Sequence, residues 1–278
     1  MDPTDTFPRF PAKLRHPALV KPADFVGRYL SGVRTPARCI LVWNPAVVEG
    51  LVRRFRARPI RGLTGAYVLP GPQPSVGIVL PRGVGAPTTV IRAEELIALG
   101  TREIIGIGYA GSLTRDVGPG EVVLCDRAIR DEGTSHHYAH PSVPARPSPS
   151  LREWAGRALQ DAHVVFRTGP SWTTDAPYRE TRAELRHYRR EGILTVEMEA
   201  ASLFVLGRHR RVRTASVFVI SDVLDERGWT PHFHRVRDEL EEVAAVLLDG
   251  SRRVPRTSSP RRPRSASDLP RRRPSAGR

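Results

Sequence analysis

The chain has 278 residues, of which 40% are hydrophobic, and it carries a formal net charge of +15. It contains no apolar run of about 18 residues, so the sequence predicts no membrane-spanning helix. The first residues lack a basic region followed by an apolar one, and we therefore expect no signal peptide and a cytoplasmic location. Cys39 and Cys125 are the only cysteines, and two scattered cysteines are typical of free thiols in a reducing compartment.

The positive charge is concentrated at the C-terminus. Residues 251–278 contain ten arginines, many prolines and serines, and a single acid, Asp268. A segment of this composition cannot bury enough apolar surface to offset the entropy of ordering it, so we predict a disordered tail. The tail is either a solvated appendage or makes a weak, salt-sensitive contact with nucleic acid. The preceding residues, 1–250, are predicted to form one folded domain.

Short apolar runs alternate with helical patterns along this domain. The runs are rich in β-branched residues and suit strands that are buried on both faces; they span 38–43, 75–80, 102–108, 121–125, 162–169 and 214–222. The helical patterns span 88–100, 150–162, 196–210 and 234–250. This alternation predicts a layered α/β fold with a mostly parallel or mixed sheet, in which ligands bind at the carboxyl ends of strands.

Two glycine-rich turns each follow a predicted strand. They are "PRGVGAPTT" (81–89) and "GIGYAGSL" (106–113). Glycine lets the backbone approach a ligand closely, and a helix N-terminus offers free N–H groups to an anion or a sugar hydroxyl. The alternative is an ordinary tight turn.

Two polar stretches could border a binding site. "AIRDEGTSHHYAHP" (128–141) contains three histidines, but His136 and His137 are adjacent and no acid has zincin spacing, so a loop at an active-site mouth is favoured over a metal site. "WTTDAPYRETRAEL" (172–185) either supplies hydrogen bonds to a heterocycle from Arg179, Glu180 or Arg182, or begins a solvated helix.

Two further features concern carboxyl groups. Asp222 follows the most apolar run and is a candidate general acid, unless it or Ser221 caps the next segment. In "GILTVEMEAASLF" (192–204), Met198 lies between Glu197 and Glu199. This order suits either the start of a helix or a clamp for a small polar ligand.

Taken in order, these segments resemble the nucleoside phosphorylase and nucleosidase family. The matching stretches are "RGVGAPTTVIRAEELIALG", "IGIGYAGSL", "AIRDEGTSHHY", "TDAPYRE", "VEMEAASLF" and "VISDVLD". "DEGTSHHY" and the segment near His16 favour the uridine phosphorylase branch, and the chain is also similar to purine nucleoside phosphorylases and methylthioadenosine/S-adenosylhomocysteine nucleosidases. The resemblance implies a three-layer α/β catalytic domain over 1–250, with a central mixed β-sheet, a barrel-like core and flanking helices.

The resemblance also implies roles for individual residues. Glu199 would accept hydrogen bonds from the ribose 2′- and 3′-hydroxyls, with Glu197 beside it and Met198 packed on the sugar. His16 would reach the 5′-hydroxyl across a dimer interface. Asp222 would protonate or hydrogen-bond a purine base, and the other candidates for base binding are Gly111, Arg179 and Arg182.

The chain departs from the family where phosphate should bind. Trp43, Asn44 and Val47 replace the glycine, acid and arginine of a Gly-Asp-Pro-x-Arg loop, Gly106 replaces a second arginine, and Tyr109 replaces a threonine. Loss of two guanidinium groups weakens anion binding by about 1.5–3 kcal/mol for each charged hydrogen bond. The remaining candidates for a phosphate or water site are Asn44, Arg61, Arg82, Gly108 and Tyr109, and Glu49 is the acid nearest in sequence that could activate water.

The expected reaction is phosphorolysis of a nucleoside to free base and ribose 1-phosphate. The alternatives are hydrolysis by water and a non-catalytic nucleoside-binding protein. We expect no cofactor or metal, inorganic phosphate as a possible co-substrate, and a homo-oligomer, either a dimer or a hexamer of dimers. The base stays open, because Asp222 favours a purine and the His136/His137 loop favours a pyrimidine.

Overall fold

The computed structural model describes residues 7–71 and 76–253. Ten strands are present in this part of the chain: β1 (Arg38–Val42), β2 (Arg58–Pro59), β3 (Ala66–Val68), β4 (Val76–Val79), β5 (Glu103–Ser112), β6 (Val122–Asp131), β7 (Phe166–Thr174), β8 (Thr195–Glu197), β9 (Arg213–Asp225) and β10 (Gly228–Pro231). The α-helices described are α1 (Pro22–Tyr29), α2 (Pro45–Phe55), α3 (Ala86–Ala98), α4 (Pro149–Asp161), α5 (Arg182–Arg190), α6 (Ala200–Arg210) and α7 (Arg237–Arg253). Each of the six apolar runs contains or overlaps a strand, which confirms those predictions.

The strands form one mixed sheet that closes on itself in the middle. Its order is β10-β9-β6-β7-β8-β5-β1-β4-β3-β2, and β5 also pairs with β9. This extra parallel ladder runs from Glu103↔Arg213 to Ser112↔Val223. It joins β5, β8, β7, β6 and β9 into a closed five-stranded barrel, from which β1 to β4 extend as an open sheet.

Helices cover the sheet on both faces. Strand β1 alternates between them: Ile40 and Val42 pack into a core with α2, α4 and α7, whereas Cys39 and Leu41 pack with α1, α3 and α6. This period of two is the expected consequence of a strand buried on both sides. The predicted layered α/β fold, with a mixed sheet, a barrel-like core and flanking helices, is confirmed.

The helix predicted over 196–210 starts later than expected. Val196 and Glu197 end strand β8, Met198 and Glu199 form a bend, and α6 begins at Ala200. Strand β8 pairs with β7 at Thr173↔Glu197 and with β5 at Gly111↔Val196. Tertiary pairing thus overrides a pattern that looked helical by itself.

Asp222 lies inside a strand and not at a helix N-terminus, so the capping alternative is wrong. Strand β9 continues to Asp225, and Asp222 pairs with Pro231 of β10. The β5–β9 register shifts between Ala110 and Gly111, immediately before the partner of Asp222. Such an irregularity re-aims the side chains next to it.

Helix α7 extends three residues past the predicted domain boundary at residue 250. Ser251 is buried, and its hydroxyl donates to the carbonyl of Leu247 at 2.7 Å. The predicted tail lies outside the described residues from position 254 onward, and its disorder stays a prediction.

The described residues have two further properties relevant to the sequence predictions. Cys39 and Cys125 are buried free thiols, as predicted, and burial raises the pKa of Cys39 to about 12. No helix within these ranges is long and apolar enough to cross a lipid bilayer.

Candidate active site

A cavity of about 900 Å³ opens where several strands end. Its walls come from the ends of β1, β5, β8 and β9, from β10 and from the segment 177–182 that leads into α5. Nine of the predicted site residues line it. Seven of these are Asn44, Gly108, Tyr109, Gly111, Glu197, Met198 and Glu199. Asp222 and Arg182 also line it.

Glu197 is held by four hydrogen bonds from the protein. One carboxylate oxygen accepts from the backbone N–H groups of Glu199 and Ala200, both at 2.7 Å, and so satisfies the start of α6. The other accepts from the hydroxyls of Ser171 and Thr173. Glu197 is only 6% exposed, and burial raises its pKa while these donors oppose the rise. The Glu197 carboxylate therefore stabilises the bend that contains Met198 and Glu199.

Glu199 presents its carboxyl to the cavity. Its Oε1 accepts a hydrogen bond from the backbone N–H of Gly85. Gly85 has φ of 92° and precedes the first residue of α3, so a backbone conformation that favours glycine aims this donor. Burial, followed by the negative charge of Glu197, raises the pKa of Glu199 to about 8. The Met198 methyl lies 3.8 Å from the position that a Cβ on Gly85 would occupy.

Asp222 lies across the cavity and is 7% exposed. Its Oδ1 accepts from the Ser221 hydroxyl at 2.6 Å, and its Oδ2 accepts from the Trp229 indole N–H at 2.9 Å. Gly111 leaves room for this carboxyl, since a Cβ there would lie 2.8 Å from Asp222 Oδ2 and 2.7 Å from Leu224. Gly111 therefore makes space for the Asp222 carboxyl, and the base-binding role predicted for Gly111 stays a prediction.

The end of the cavity near β1 is occupied by an indole. A Cβ on Gly106 would lie 2.9 Å from Trp43 Cη2, and one on Gly108 would lie 3.3 Å from Trp43 Cε3. Trp43 Nε1 donates to the hydroxyl of buried Thr89 at 3.2 Å, which fixes the ring. The Trp43 side chain therefore fills the space above two backbone positions of β5, one of which is Gly106.

Asn44 and Tyr109 are the polar side chains beside this indole. Asn44 Oδ1 accepts from the Val47 backbone N–H at 3.1 Å and caps α2. Asn44 Nδ2 donates to the Tyr109 hydroxyl at 3.5 Å. Burial raises the pKa of Tyr109, so this hydroxyl is neutral near pH 7.

Several predicted site residues do not line the cavity. Glu49, Arg61, Arg82, Arg179 and His16 all have exposed side chains outside it. Arg182 does line the cavity, but its Nε donates to the carbonyl of Glu226 at 3.2 Å. The role given to His16 requires a second copy of the chain and stays a prediction.

The histidine loop also lies apart from the cavity lining. His137 Nδ1 is 2.9 Å from Lys13 Nζ, and burial together with the Lys13 charge lowers its pKa. Phe7 packs edge-on against His136 and His137. Between residues 7 and 253, leaving out 72–75, no group of three or more His, Cys, Asp or Glu side chains is arranged to hold a metal ion.

Sequence reasoning missed part of the site. Trp229 and Phe233 line the cavity, and the Trp229 indole donates a hydrogen bond to Asp222. The available signal was the β-hairpin: Gly228, with φ of 130°, follows Asp225 and returns the chain past Asp222.

These features define an α/β protein with a barrel core and, at its strand ends, a largely apolar cavity whose charged lining residues are mostly carboxyl groups. A sequence profile described as the Phosphorylase superfamily matches residues 56–251, and the chain belongs to this superfamily. It is 37% identical over 153 residues to a uridine phosphorylase of Treponema pallidum, covering 51% of this chain and 59% of that protein. It is 32% identical over 139 residues to a guanosine phosphorylase of Halorubrum lacusprofundi, covering 50% of this chain and 57% of that protein.

The fold is likewise shared with a solved structure. A uridine phosphorylase from Vibrio fischeri ES114 superposes with a TM-score of 0.67 at 22% identity, covering 78% of this chain and 92% of that chain. The chain therefore has the nucleoside phosphorylase fold that its sequence predicts. The matches to the curated relatives above span less than two thirds of those proteins' lengths.

Proposed function

We propose that the protein cleaves the N-glycosidic bond of a nucleoside by phosphorolysis, releasing free base and ribose 1-phosphate. The observation that carries this proposal is the Glu197-Met198-Glu199 bend, which lines the same cavity as Asp222. Membership of the Phosphorylase superfamily supports the same reaction. No cofactor is proposed, and phosphate serves as co-substrate.

The proposed reaction develops charge at two places, the sugar and the departing base. As the bond from C1′ to the base breaks, the sugar gains oxocarbenium character and the base gains negative charge. Ionised Glu199 would accept hydrogen bonds from two ribose hydroxyls, with Met198 against the sugar. Asp222 would hold a proton or hydrogen bond at the departing base. A non-catalytic binding protein would not need this second carboxyl.

A second candidate reaction is hydrolysis, and the position of Trp43 favours it. The indole lies against Gly106 and Gly108, and Arg182 is the one basic residue that lines the cavity within the described part of the chain. An anion loses much of its binding energy without guanidinium donors. In this case Asn44 and Tyr109 would position the attacking water.

Base release from nucleosides tests the proposal. The protein is incubated with uridine, adenosine and guanosine, with and without phosphate, and the sugar product is identified. Phosphate-dependent release with ribose 1-phosphate supports phosphorolysis, whereas equal rates and free ribose support hydrolysis. The absence of base release from every nucleoside would refute both reactions.

The remaining proposals concern assembly and location. We propose a cytoplasmic homo-oligomer in which His16 of one copy completes the sugar site of another. A fully active monomer in analytical ultracentrifugation would contradict that role. Nucleic-acid binding that disappears when residues 251–278 are deleted would assign that contact to the tail.

A further inference from the structure

Three carboxyl groups line the cavity near β9, and one of them, Asp225, pairs with Arg115. Asp222 is fixed there by Ser221 and Trp229. Glu180 lines the same cavity and is half-buried at the end of the 3-10 helix Pro177–Arg179. Burial, followed by the negative charge of Asp222, raises the pKa of Glu180 to about 7, so the two carboxyl groups are near enough to interact.

The cations around this pair make their recorded hydrogen bonds and salt bridges with other groups, although Arg182 also lines the cavity. Arg182 Nε donates to the carbonyl of Glu226, and Arg115 pairs with Asp225 at 3.3 Å. Arg189 donates to the carbonyls of Leu113 and Leu224. Over residues 7–71 and 76–253, no arginine or lysine forms a salt bridge with the Glu180 or Asp222 carboxyl.

A site rich in acceptors favours a base that brings hydrogen-bond donors. Above about pH 7 the Glu180 carboxyl is largely ionised, and an ionised carboxylate only accepts hydrogen bonds. Uracil has a single N–H group flanked by two carbonyl oxygens, and those oxygens would meet the carboxylates without a donor between them. Adenine and guanine each carry an exocyclic amino group, and guanine adds an adjacent N–H. Protonation of a departing purine at N7 supplies another donor, which suits Asp222.

We propose that Glu180 is a specificity residue that accepts hydrogen bonds from an amino-bearing purine, so that adenosine- or guanosine-type nucleosides are preferred over uridine. This inference rests on the proposed nucleoside-cleaving function and names its substrate class. A cavity of about 900 Å³ lies within the range of small-molecule sites and has room for the larger purine.

The test compares kcat/KM for adenosine, guanosine, inosine and uridine. The proteins are the wild type, Glu180→Gln, Glu180→Asp and the control Glu153→Gln, whose exposed side chain on α4 lies outside the cavity. The wild type should prefer the amino-bearing purines over uridine by about 10- to 100-fold, the value of one or two charge-assisted hydrogen bonds. Inosine, which lacks the exocyclic amino group, should fall between them.

The variants separate a specificity role from a structural one. Glu180→Gln replaces a group that only accepts hydrogen bonds by an amide that both donates and accepts them. The ratio of kcat/KM for the amino-bearing purine nucleosides to that for uridine should fall about tenfold, mainly because KM for the purine nucleosides rises. Glu180→Asp should retain part of the preference, and Glu153→Gln all of it. Uridine turnover equal to that of the purines, or an equal loss for all four substrates in Glu180→Gln, would overturn the inference.

Direct binding distinguishes this inference from the proposed function. If none of the four nucleosides is cleaved, the proposed function fails, and calorimetric titration with adenine and uracil then tests Glu180 alone. Tighter binding of adenine that weakens in Glu180→Gln supports the inference. Tighter binding of uracil, or adenine binding that the variant leaves unchanged, overturns it.

Discussion

The part of the cavity that contains Glu199 and the part near β1 differ in the chemistry of their side chains. At the end that contains Glu199, where the proposed function places the ribose and which we call the sugar end, the Glu197 carboxylate accepts internal hydrogen bonds and Glu199 lines the cavity. At the end near β1, an apolar ring occupies the space beside Gly106. The sugar end keeps the residues of the family motif, whereas the other end replaces the residues expected to hold phosphate. The carboxyl motif that we propose binds the sugar is thus retained, while the side chains beside it differ from those of the family.

The two replacements near β1 depend on each other. The Trp43 ring fits only because residue 106 has no side chain, as a Cβ there would approach the ring to 2.9 Å. An arginine at 106 and a tryptophan at 43 therefore exclude each other. The side chain at position 43 thus limits which side chain can stand at position 106.

The largest effect on stability and activity should come from removing the Glu197 carboxylate, which holds the bend at the sugar end. Glu197→Ala removes the acceptor for the Glu199 and Ala200 N–H groups, leaving buried donors unpaired. We expect a loss of about 2–4 kcal/mol in the free energy of unfolding and at least about 100-fold in kcat/KM. Urea unfolding and a base-release assay measure both, with exposed Glu153→Ala as the control. Wild-type stability would show that the carboxylate does not hold the bend.

A second substitution disturbs the packing around Asp222, where the proposed function places the base. Gly111→Ala places a methyl group 2.8 Å from Asp222 Oδ2 and 2.7 Å from Leu224 Cδ1, so the carboxyl must move. We expect kcat to fall about 10- to 100-fold if Asp222 acts on the departing base. Gly27→Ala is the matched control, because nothing lies within 4 Å of a Cβ there. An unchanged kcat would remove Asp222 from the chemistry.

The competition for space between residues 43 and 106 can be tested by substituting one or both of them. Gly106→Arg alone should cost about 1–3 kcal/mol of stability through overpacking against Trp43. The double variant Trp43→Gly/Gly106→Arg should recover stability and lower KM for phosphate about tenfold, because it restores one guanidinium group. Thermal unfolding and phosphate titration of the base-release rate measure these effects. A double variant as unstable as the single one would contradict the proposed exclusion.

The last effect is a pH dependence of the free energy of unfolding at the sugar end. The folded-state pKa of Glu199 is about 8 against an ordinary 4.5, so between these values the folded protein keeps a proton that the unfolded chain has lost. The free energy of unfolding contributed by this group therefore falls as pH rises through that window.

Glu199→Gln removes the titration while Gln Oε1 can still accept from Gly85. Relative to the wild type, the free energy of unfolding of the variant should rise by up to about 4 kcal/mol between pH 5 and about pH 9. Urea unfolding at both pH values measures the difference, with Glu153→Gln as the control. Parallel pH profiles for the wild type and Glu199→Gln would show that the Glu199 pKa is not raised.

The sequence predicted the strands and the two carboxyl motifs because each is local. Continuous apolar runs mark buried strands, and the position of Asp222 after such a run is visible in the chain. The contact between Trp43 and Gly106 could not be predicted, because it depends on the parallel register of β1 and β5, in which Leu41 lies beside Gly106. The start of α6 was misplaced because Val196 and Glu197 are held as a strand by pairing with distant residues.

The role of Glu199 is tested most directly by one comparison of base release. Wild type and Glu199→Gln are assayed with the same nucleosides, in the same phosphate buffer, at pH 9, where the wild-type carboxyl is largely ionised. The account predicts turnover by the wild type and a rate at least about 100-fold lower in the folded variant. Equal rates in the two proteins, or no base release by the wild type, would contradict it.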